Sequence, residues 1–338
     1  MSMQNQLAAD YRAVGADATH GVARRLPSHR AVVVLLAVGA AIAALCLPFA
    51  VESFVVFQIT MVMVYAIAIV GLNLLLGFNG QFSLGHAAFF AIGAYTAAIL
   101  MDKAGFDYAL TIPVAAVVCF ISGFLFGLPA LRLDGLYLAL ATFALSVATP
   151  QILKLSLLET WTGGVQGLVI VKPSAPFGLP LSDDQWLYFF ALFVTVLMFW
   201  FATNLVNSQS GRAMMAIRDN PIAARSMGIN SAVHKALTFG VSALYTGVAG
   251  ALSAIVVQFV APDSFTIQLS ISLLVGLVVG GLGWIPGALF GGAFVLFAPN
   301  LAEQISKGLS GAAYGAILIL VIFVMPSGAA GLTRLLRR

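Results

Sequence analysis

The stretch SFVVFQITMVMVYAIAIVGLNLLLG, residues 53–77, contains no charged side chain. A membrane-spanning helix needs about 20 consecutive apolar residues, so this stretch predicts one. Residues 31–49 form a second continuous apolar run. Neither run has the alternating pattern, over about ten residues, of a transmembrane β-barrel strand. The fold is therefore expected to be all-α, with helices that cross a membrane.

The composition of the whole chain agrees with this reading. Of its 338 residues, 61% are hydrophobic and 8% are charged, and the mean hydropathy is +1.03. A soluble domain carries about 25% charged residues, so a soluble globular protein is excluded. Hydropathy predicts a polytopic membrane protein with about ten transmembrane helices, some of them short or broken. The predicted spans are 31–49, 53–77, 87–101, 109–128, 135–153, 186–205, 236–260, 268–281, 287–299 and 311–326.

The basic residues predict an orientation. Of the 16 lysines and arginines, all but Lys103, Lys154, Lys172 and Lys307 fall on one side if the ten spans alternate. Basic residues concentrate in cytoplasmic loops, so both termini are expected in the cytoplasm.

The resulting domain organisation has one membrane domain between two tails. It comprises a cytoplasmic N-terminal tail at 1–30, a transmembrane domain at 31–326 and a cytoplasmic C-terminal tail at 327–338. Within the transmembrane domain, loop 154–185 is external and loop 206–235 is cytoplasmic.

Several classes of function are disfavoured by what the sequence lacks. Ionisable residues are nearly absent from the spans, which argues against a proton-coupled transporter. The four histidines are scattered without metal-ligand spacing, so neither a metal nor a cofactor is expected. No Gly-Lys-Ser/Thr phosphate loop occurs, so any ATP hydrolysis belongs to a partner. No basic surface interleaved with aromatic residues indicates nucleic-acid binding.

Residues 71–95, GLNLLLGFNGQFSLGHAAFFAIGAY, form the most informative segment. Five glycines interrupt an apolar run that also holds polar side chains. Unwound backbone at membrane depth is tolerated where protein or a water-filled cavity surrounds it, so the segment is a candidate lining of a transport pathway. The alternative is a short turn whose small residues allow tight helix packing. The candidate pathway residues are Asn73, Asn79, Gln81, Ser83, His86 and Tyr95.

A second glycine-rich region, GLVVGGLGWIPGALFGG, lies at 276–292. Paired glycine- or proline-interrupted spans in the two halves of a chain point to a transporter built from repeats. Close helix packing through small residues explains the same pattern.

The loop segment 211–230, GRAMMAIRDNPIAARSMGIN, predicts a short capped helix. Asn220 can cap a helix that begins at Pro221, and Gly228 suits the left-handed stop after Met227. Ala223, Ala224 and Met227 would then share one face, which a groove of another protein could accept. The alternative is a helix on anionic lipid, which Arg212, Arg218 and Arg225 would favour.

Three motifs together resemble the permease subunits of branched-chain amino acid ABC importers, most closely the LivM type. The first comprises Asn79-Gly80-Gln81, Ser83-Leu84-Gly85-His86 and Gly93-Ala94-Tyr95. The second is similar to the family's cytoplasmic coupling loop. The third is Thr162-Gly163-Gly164 with Gly167-Leu168 in the external loop. The coupling-loop motif comprises Gly211-Arg212, Ala216-Ile217-Arg218-Asp219, Ala223-Ala224 and Met227-Gly228-Ile229.

The resemblance implies a permease that works inside a larger assembly in the bacterial inner membrane. Its expected partners are a second permease subunit, two cytoplasmic ATPase subunits, a periplasmic substrate-binding protein and the lipid bilayer. Residues expected to couple to the ATPases are Arg212, Arg218, Asp219, Asn220, Ala223, Ala224, Arg225 and Met227. The chain itself is expected to be non-catalytic.

Two other functions stay open at this point. Permeases for urea or short amides belong to the same family. A stand-alone channel or facilitator would also agree with the few charges in the spans, and it would need no cytoplasmic partner.

Overall fold

The computed structural model describes residues 39, 42–130, 135–176, 180–305, 309–324 and 328–331. The chain divides after Ala50 into two units, and the described residues of the first, 39 and 42–50, are helical. The second unit carries all the elements described below. The predicted tail 1–30, most of the predicted span 31–49 and most of the tail 327–338 lie outside the described residues, so these boundaries stay predictions.

The second unit is built almost entirely of helices, which confirms the predicted all-α fold. In chain order they are α1 (Ser53–Leu72), α2 (His86–Ala104), α3 (Tyr108–Ala130), α4 (Leu136–Leu153), α5 (Glu159–Thr162), α6 (Asp183–Asn207), α7 (Gln209–Asp219), α8 (Pro221–Ser226), α9 (Ser231–Val257), α10 (Ile267–Gly280), α11 (Gly287–Ile305) and α12 (Ser310–Val324). Among the described residues, six helices are long and apolar enough to cross a membrane, namely α1–α4, α6 and α9. The chain is thus a multi-pass membrane protein, while the ten-span count and the orientation stay predictions.

Two helices form the centre of this unit. In α1 and α9, 78% of the most apolar stretch is buried, against 28% in α3 and α6. Glycines let α2 approach α9 closely, since a Cβ atom at Gly93 would overlap the backbone of Gly247. Small residues at such a crossing allow tight packing in a membrane, where apolar burial alone does not drive helices together.

The loops gather at two opposite ends. At one end, which we call the basic-loop end, loop 206–235 lies beside residues 77–85. At the other end Lys154 pairs with Asp263 at 2.5 Å. Strand β1 (Leu168–Val169) also pairs there, antiparallel, with β2 (Phe259–Val260). Loops 154–185 and 206–235 therefore lie at opposite ends of the bundle.

Candidate functional site

The first glycine-rich region is a break between two helices. Helix α1 widens into a π-helical turn at Asn73–Phe78, residues 79–85 are non-helical, and α2 begins at His86. We call residues 73–85 the broken segment. Gly80 adopts a φ of +71°, a conformation that favours glycine. The expectation of a glycine-interrupted span is therefore confirmed.

The far end of the broken segment lies deep among the helices. Nε2 of His86 is 2.9 Å from Oγ of Ser242. At about 1.5 Å of rise per residue, Ser242 lies roughly 16 Å along α9 from its start at Ser231, which is about half the thickness of a bilayer's hydrocarbon core. The irregular backbone therefore runs from the basic-loop end, where Gln81 contacts Lys235, into the interior of the bundle, where protein surrounds it.

Neighbouring helices satisfy the polar backbone groups of this turn. The Leu84 N–H donates to Oγ1 of Thr142 at 2.9 Å, and the Ser146 hydroxyl donates to the Leu84 carbonyl at 2.6 Å. The Ala87 N–H donates to Oγ of Ser270 at 2.8 Å. Hydroxyls from α4 and α10 thus replace the missing helical hydrogen bonds.

Four of the six predicted pathway residues hold this architecture together. Asn73 contacts the second glycine-rich region, while Nε2 of Gln81 donates to the Lys235 carbonyl at 3.1 Å. Oγ of Ser83 lies 3.4 Å from Nδ1 of His86. All four side chains are buried.

The other two predicted pathway residues, Asn79 and Tyr95, are also buried. Neither the Asn79 amide nor the Tyr95 hydroxyl finds a hydrogen-bond partner among the described residues. The Tyr95 ring packs edge-on against Phe265, with the ring centroids 6.1 Å apart.

The second glycine-rich region contains both features that its sequence allows, a helix interruption and close packing through small residues. It breaks between α10 and α11, and Gly280 and Gly287 also pack against each other's backbone. The Asn73 amide bridges the two broken regions, because its nitrogen donates to the Trp284 carbonyl at 3.1 Å and its oxygen accepts from the Gly283 N–H at 2.9 Å. The paired interruptions therefore meet in space.

Loop 206–235 folds into two short helices, as its sequence predicts for the second. Oδ1 of Asn220 accepts from the N–H groups of Ile222 and Ala223 at 3.1 and 3.0 Å, and Pro221 is the first residue of α8. Gly228 follows with a φ of +83°. The predicted cap, start and stop of α8 are all confirmed.

The predicted shared face on α8 is wrong at one position. Ala224 is 4% exposed and packs inside the chain, whereas Ala223 and Met227 are exposed. Helix α8 has only six residues, and α9 begins at Ser231 soon after it. One side of α8 therefore packs against the rest of the chain. Ile222, which the sequence argument did not select, is 76% exposed. The outward surface of α8 is therefore formed by Ile222, Ala223 and Met227.

The three arginines of this loop play different parts. All three are exposed, and Nη1 of Arg212 donates to the Asn207 carbonyl at 3.2 Å. Nη1 of Arg218 instead donates to the Gly77 carbonyl of the broken segment at 2.7 Å. Its other nitrogens donate to Oδ1 of the neighbouring Asp219 at 3.0 and 2.9 Å.

The contact of Arg218 with Gly77 joins α7 directly to the broken segment. The side chain also explains the glycine at position 80, because a Cβ atom there would lie 2.8 Å from Cγ of Arg218. Sequence reasoning selected Arg218 but assigned it to a partner or lipid surface. No local pattern indicates a contact between residues this far apart in the chain.

Two cavities lie beside this junction. One has a volume of about 160 Å³, and its lining includes Asn79 and Lys235. The other has a volume of about 420 Å³ and is lined largely by apolar side chains such as Leu274 and Val278. Phe82 and Arg218 line both cavities.

The glycine motif at 162–168 serves a structural purpose at the end opposite to the basic-loop end. Oγ1 of Thr162 donates to the Leu153 carbonyl at 2.8 Å and accepts from the Gly164 N–H at 3.2 Å. Gly163 and Gly167 have positive φ, and Gly167 lies against the Val260 backbone. The motif thus fixes loop 154–185 against β2.

The described residues thus form an all-α membrane bundle with buried, paired helix breaks and a helical loop tied to one of them, features that are typical of membrane transporters. The chain belongs to the family described as the permease component of the branched-chain amino acid transport system, whose model matches residues 54–325. The family resemblance stated from the motifs is therefore confirmed.

Individual relatives agree with this assignment. The chain is 32% identical to the high-affinity branched-chain amino acid transport system permease protein LivM of Salmonella typhimurium, covering 85% of this chain and 72% of the relative. It is 31% identical to LivM of Escherichia coli, over 89% and 75%. It is 25% identical to the permease protein BraD of Pseudomonas aeruginosa, over 79% and 91%. No solved structure matches the chain significantly.

Proposed function

We propose that this chain forms part of the translocation pathway of an ATP-driven importer for branched-chain amino acids in the bacterial inner membrane. It carries no Gly-Lys-Ser/Thr phosphate loop. ATP hydrolysis therefore falls to two cytoplasmic ATPase subunits, while a periplasmic binding protein delivers the substrate and a second permease completes the pathway.

The observation that carries this proposal is the 2.7 Å hydrogen bond from Arg218 to the Gly77 carbonyl. It joins the loop expected to meet the ATPases to the irregular backbone expected to line the pathway. A displacement of α7 and α8 on ATPase closure would pull at the π-helical turn, where helical hydrogen bonding is already altered. The broken segment would then rearrange while the long helices keep their packing.

The outward surface of α8 is the proposed ATPase contact. Ile222 and Met227 are 76% and 83% exposed, and they lie on either side of the exposed Arg225 in the sequence. An exposed apolar anchor suits insertion into a groove of a partner protein. The arginines at positions 212 and 225 would supply the charged rim of this contact.

The family also contains relatives for other solutes, so the substrate needs a direct test. The chain should be co-purified with the subunits encoded beside it and reconstituted into liposomes. We expect uptake of labelled leucine, isoleucine and valine that requires the binding protein. Uptake of urea in their place would overturn the substrate assignment, and uptake by this chain alone would indicate a facilitator.

A further inference from the structure

An apolar groove runs along the bundle between α3 and α6, and α9 lies beneath it. The groove has a volume of about 710 Å³, and none of the described residues that line it is charged. The hydroxyl of Tyr245, which belongs to this lining, already donates to the Met198 carbonyl at 3.0 Å. All three helices are long and apolar enough to cross a membrane, so the groove lies among hydrocarbon chains.

The dimensions of the groove limit what can fill it. It follows α6 from Phe190 to Leu205, a distance of about 22 Å at the helical rise of 1.5 Å per residue. Its mean cross-section is therefore roughly 30 Å². A helix about 10 Å across needs roughly 80 Å², so a helix of a partner protein is too wide. One leaflet of a bilayer core is roughly 15 Å deep, so the groove is long enough for an acyl chain.

One end of the groove carries a hydrogen-bond donor. The Tyr108 ring packs edge-on against Phe190 of the groove, with the ring centroids 5.2 Å apart. The Tyr108 hydroxyl accepts from Nε1 of Trp186 at 2.9 Å. A phenol can donate its own hydrogen as well, and no described residue accepts it from Tyr108. A ligand at this end of the groove could therefore accept that hydrogen bond.

This end of the groove lies at the depth of lipid headgroups. Tyr108 is the first residue of α3, and Trp186 lies in the first turn of α6. Tyrosine and tryptophan gather where a membrane meets water. In the same turn of α6, Asp184 pairs at 2.7 Å with Lys172 of loop 154–185, so this is the end opposite to the basic-loop end.

The charges beside Tyr108 favour a ligand that carries a cation. Asp107 is exposed and Asp183 is half-buried, and neither forms an ion pair with a described basic residue. The nearby Lys172 is neutralised by Asp184. A purely anionic headgroup would thus be repelled. A headgroup with both a phosphate and an ammonium group would find a donor in Tyr108 and a carboxylate in Asp107.

We propose that this groove binds one acyl chain of a phospholipid whose headgroup carries a primary ammonium group. The Tyr108 hydroxyl donates to the phosphate, and the Asp107 carboxylate accepts from the ammonium group. The chain fills the space between α3 and α6 and covers the hydrogen bond between Tyr245 and Met198. The lipid thereby stabilises the attachment of α6 to α9, whatever solute the permease carries.

Native mass spectrometry of the full complex tests the site, after the complex has been washed free of lipid in detergent and titrated with defined phospholipids. Phosphatidylethanolamine should bind saturably and about fivefold or more tightly than phosphatidylglycerol with the same acyl chains, because only its ammonium group can bond to Asp107. Ala116→Trp fills the groove and should abolish this binding while the complex stays assembled. Ala144→Trp, at an exposed alanine of α4 outside the groove, should bind as wild type does.

Two milder variants test the headgroup contacts. Tyr108→Phe keeps the ring against Phe190 but removes the donor, so it should weaken phosphatidylethanolamine binding about fivefold. Tyr137→Phe makes the same change at an exposed tyrosine of α4 and should have no effect. Asp107→Asn keeps an oxygen for the Ala109 N–H and should reduce the preference for phosphatidylethanolamine over phosphatidylglycerol.

The proposed site makes three results impermissible. Equal binding of the two lipids by wild type would overturn the assigned headgroup, and so would unchanged binding by both Tyr108→Phe and Asp107→Asn. Unchanged binding by Ala116→Trp would show that the lipid lies elsewhere on the complex and would overturn the groove as its site.

Discussion

Replacing Arg218 by methionine tests whether a movement of loop 206–235 is transmitted to the broken segment. Methionine keeps much of the side chain's length but cannot donate to the Gly77 carbonyl. A hydrogen bond from a charged group contributes about 1.5–3 kcal/mol to stability. Leaving the buried Gly77 carbonyl without its donor costs a similar free energy. Because 39% of the Arg218 side chain is exposed, the lower end of this range applies. A free-energy difference of about 1.4 kcal/mol corresponds to a tenfold change in an equilibrium constant.

The assay is leucine uptake and ATP hydrolysis measured on the same proteoliposomes. Arg218→Met should lower uptake about tenfold for each ATP hydrolysed, while the subunits stay assembled. Asp219→Asn is the matched control, since it removes only the exposed ion pair, which contributes at most about 1 kcal/mol. Its effect should stay below about fivefold. If Arg218→Met transports and hydrolyses as wild type does, the contact with Gly77 does not transmit the movement.

Three further outcomes follow from the contacts of the site. Gly80→Ala should lower the melting temperature of the complex, because a left-handed φ and a close side chain make a Cβ atom cost about 1–3 kcal/mol there; an unchanged melting temperature would contradict the described turn. Asn73→Leu should destabilise the chain by about 2 kcal/mol or more in thermal unfolding, since two hydrogen bonds to the other glycine-rich region are lost, and Asn300→Leu should have little effect. Ile222→Glu should leave folding intact but reduce recovery of the ATPase subunits, whereas Ala224→Glu should disrupt folding, because that position is buried; full ATPase recovery with Ile222→Glu would remove α8 from the interface.

Local sequence patterns predicted much of this fold, since the relevant forces act over short distances along the chain. Continuous apolar runs placed α1 and α9 within a few residues of their observed bounds. The short helix α8 was also predictable, because a capping side chain and a proline act on adjacent backbone groups. The glycines of the broken segment indicated an interruption for the same reason.

Such local patterns could not predict contacts between residues that are distant in the sequence. The sequence argument treated Asn73, Gln81, Ser83 and His86 as one polar set, although three of them bind groups that are distant in the sequence. Hydropathy could not tell that Ala224 faces inward, because alanine suits either side of a helix. A polar group that is already hydrogen-bonded is not free to bind a ligand. Only the packed structure shows which groups of the broken segment are bonded.

The most direct measurement of the central claim is the energy dependence of leucine uptake by the reconstituted complex. ATP should be supplied only on the side that carries loop 206–235, and the binding protein only on the opposite side. The account predicts that labelled leucine accumulates against its gradient under these conditions and that uptake stops when either ATP or the binding protein is omitted. Equilibration of leucine across the membrane without ATP would contradict it, because the chain would then be a facilitator.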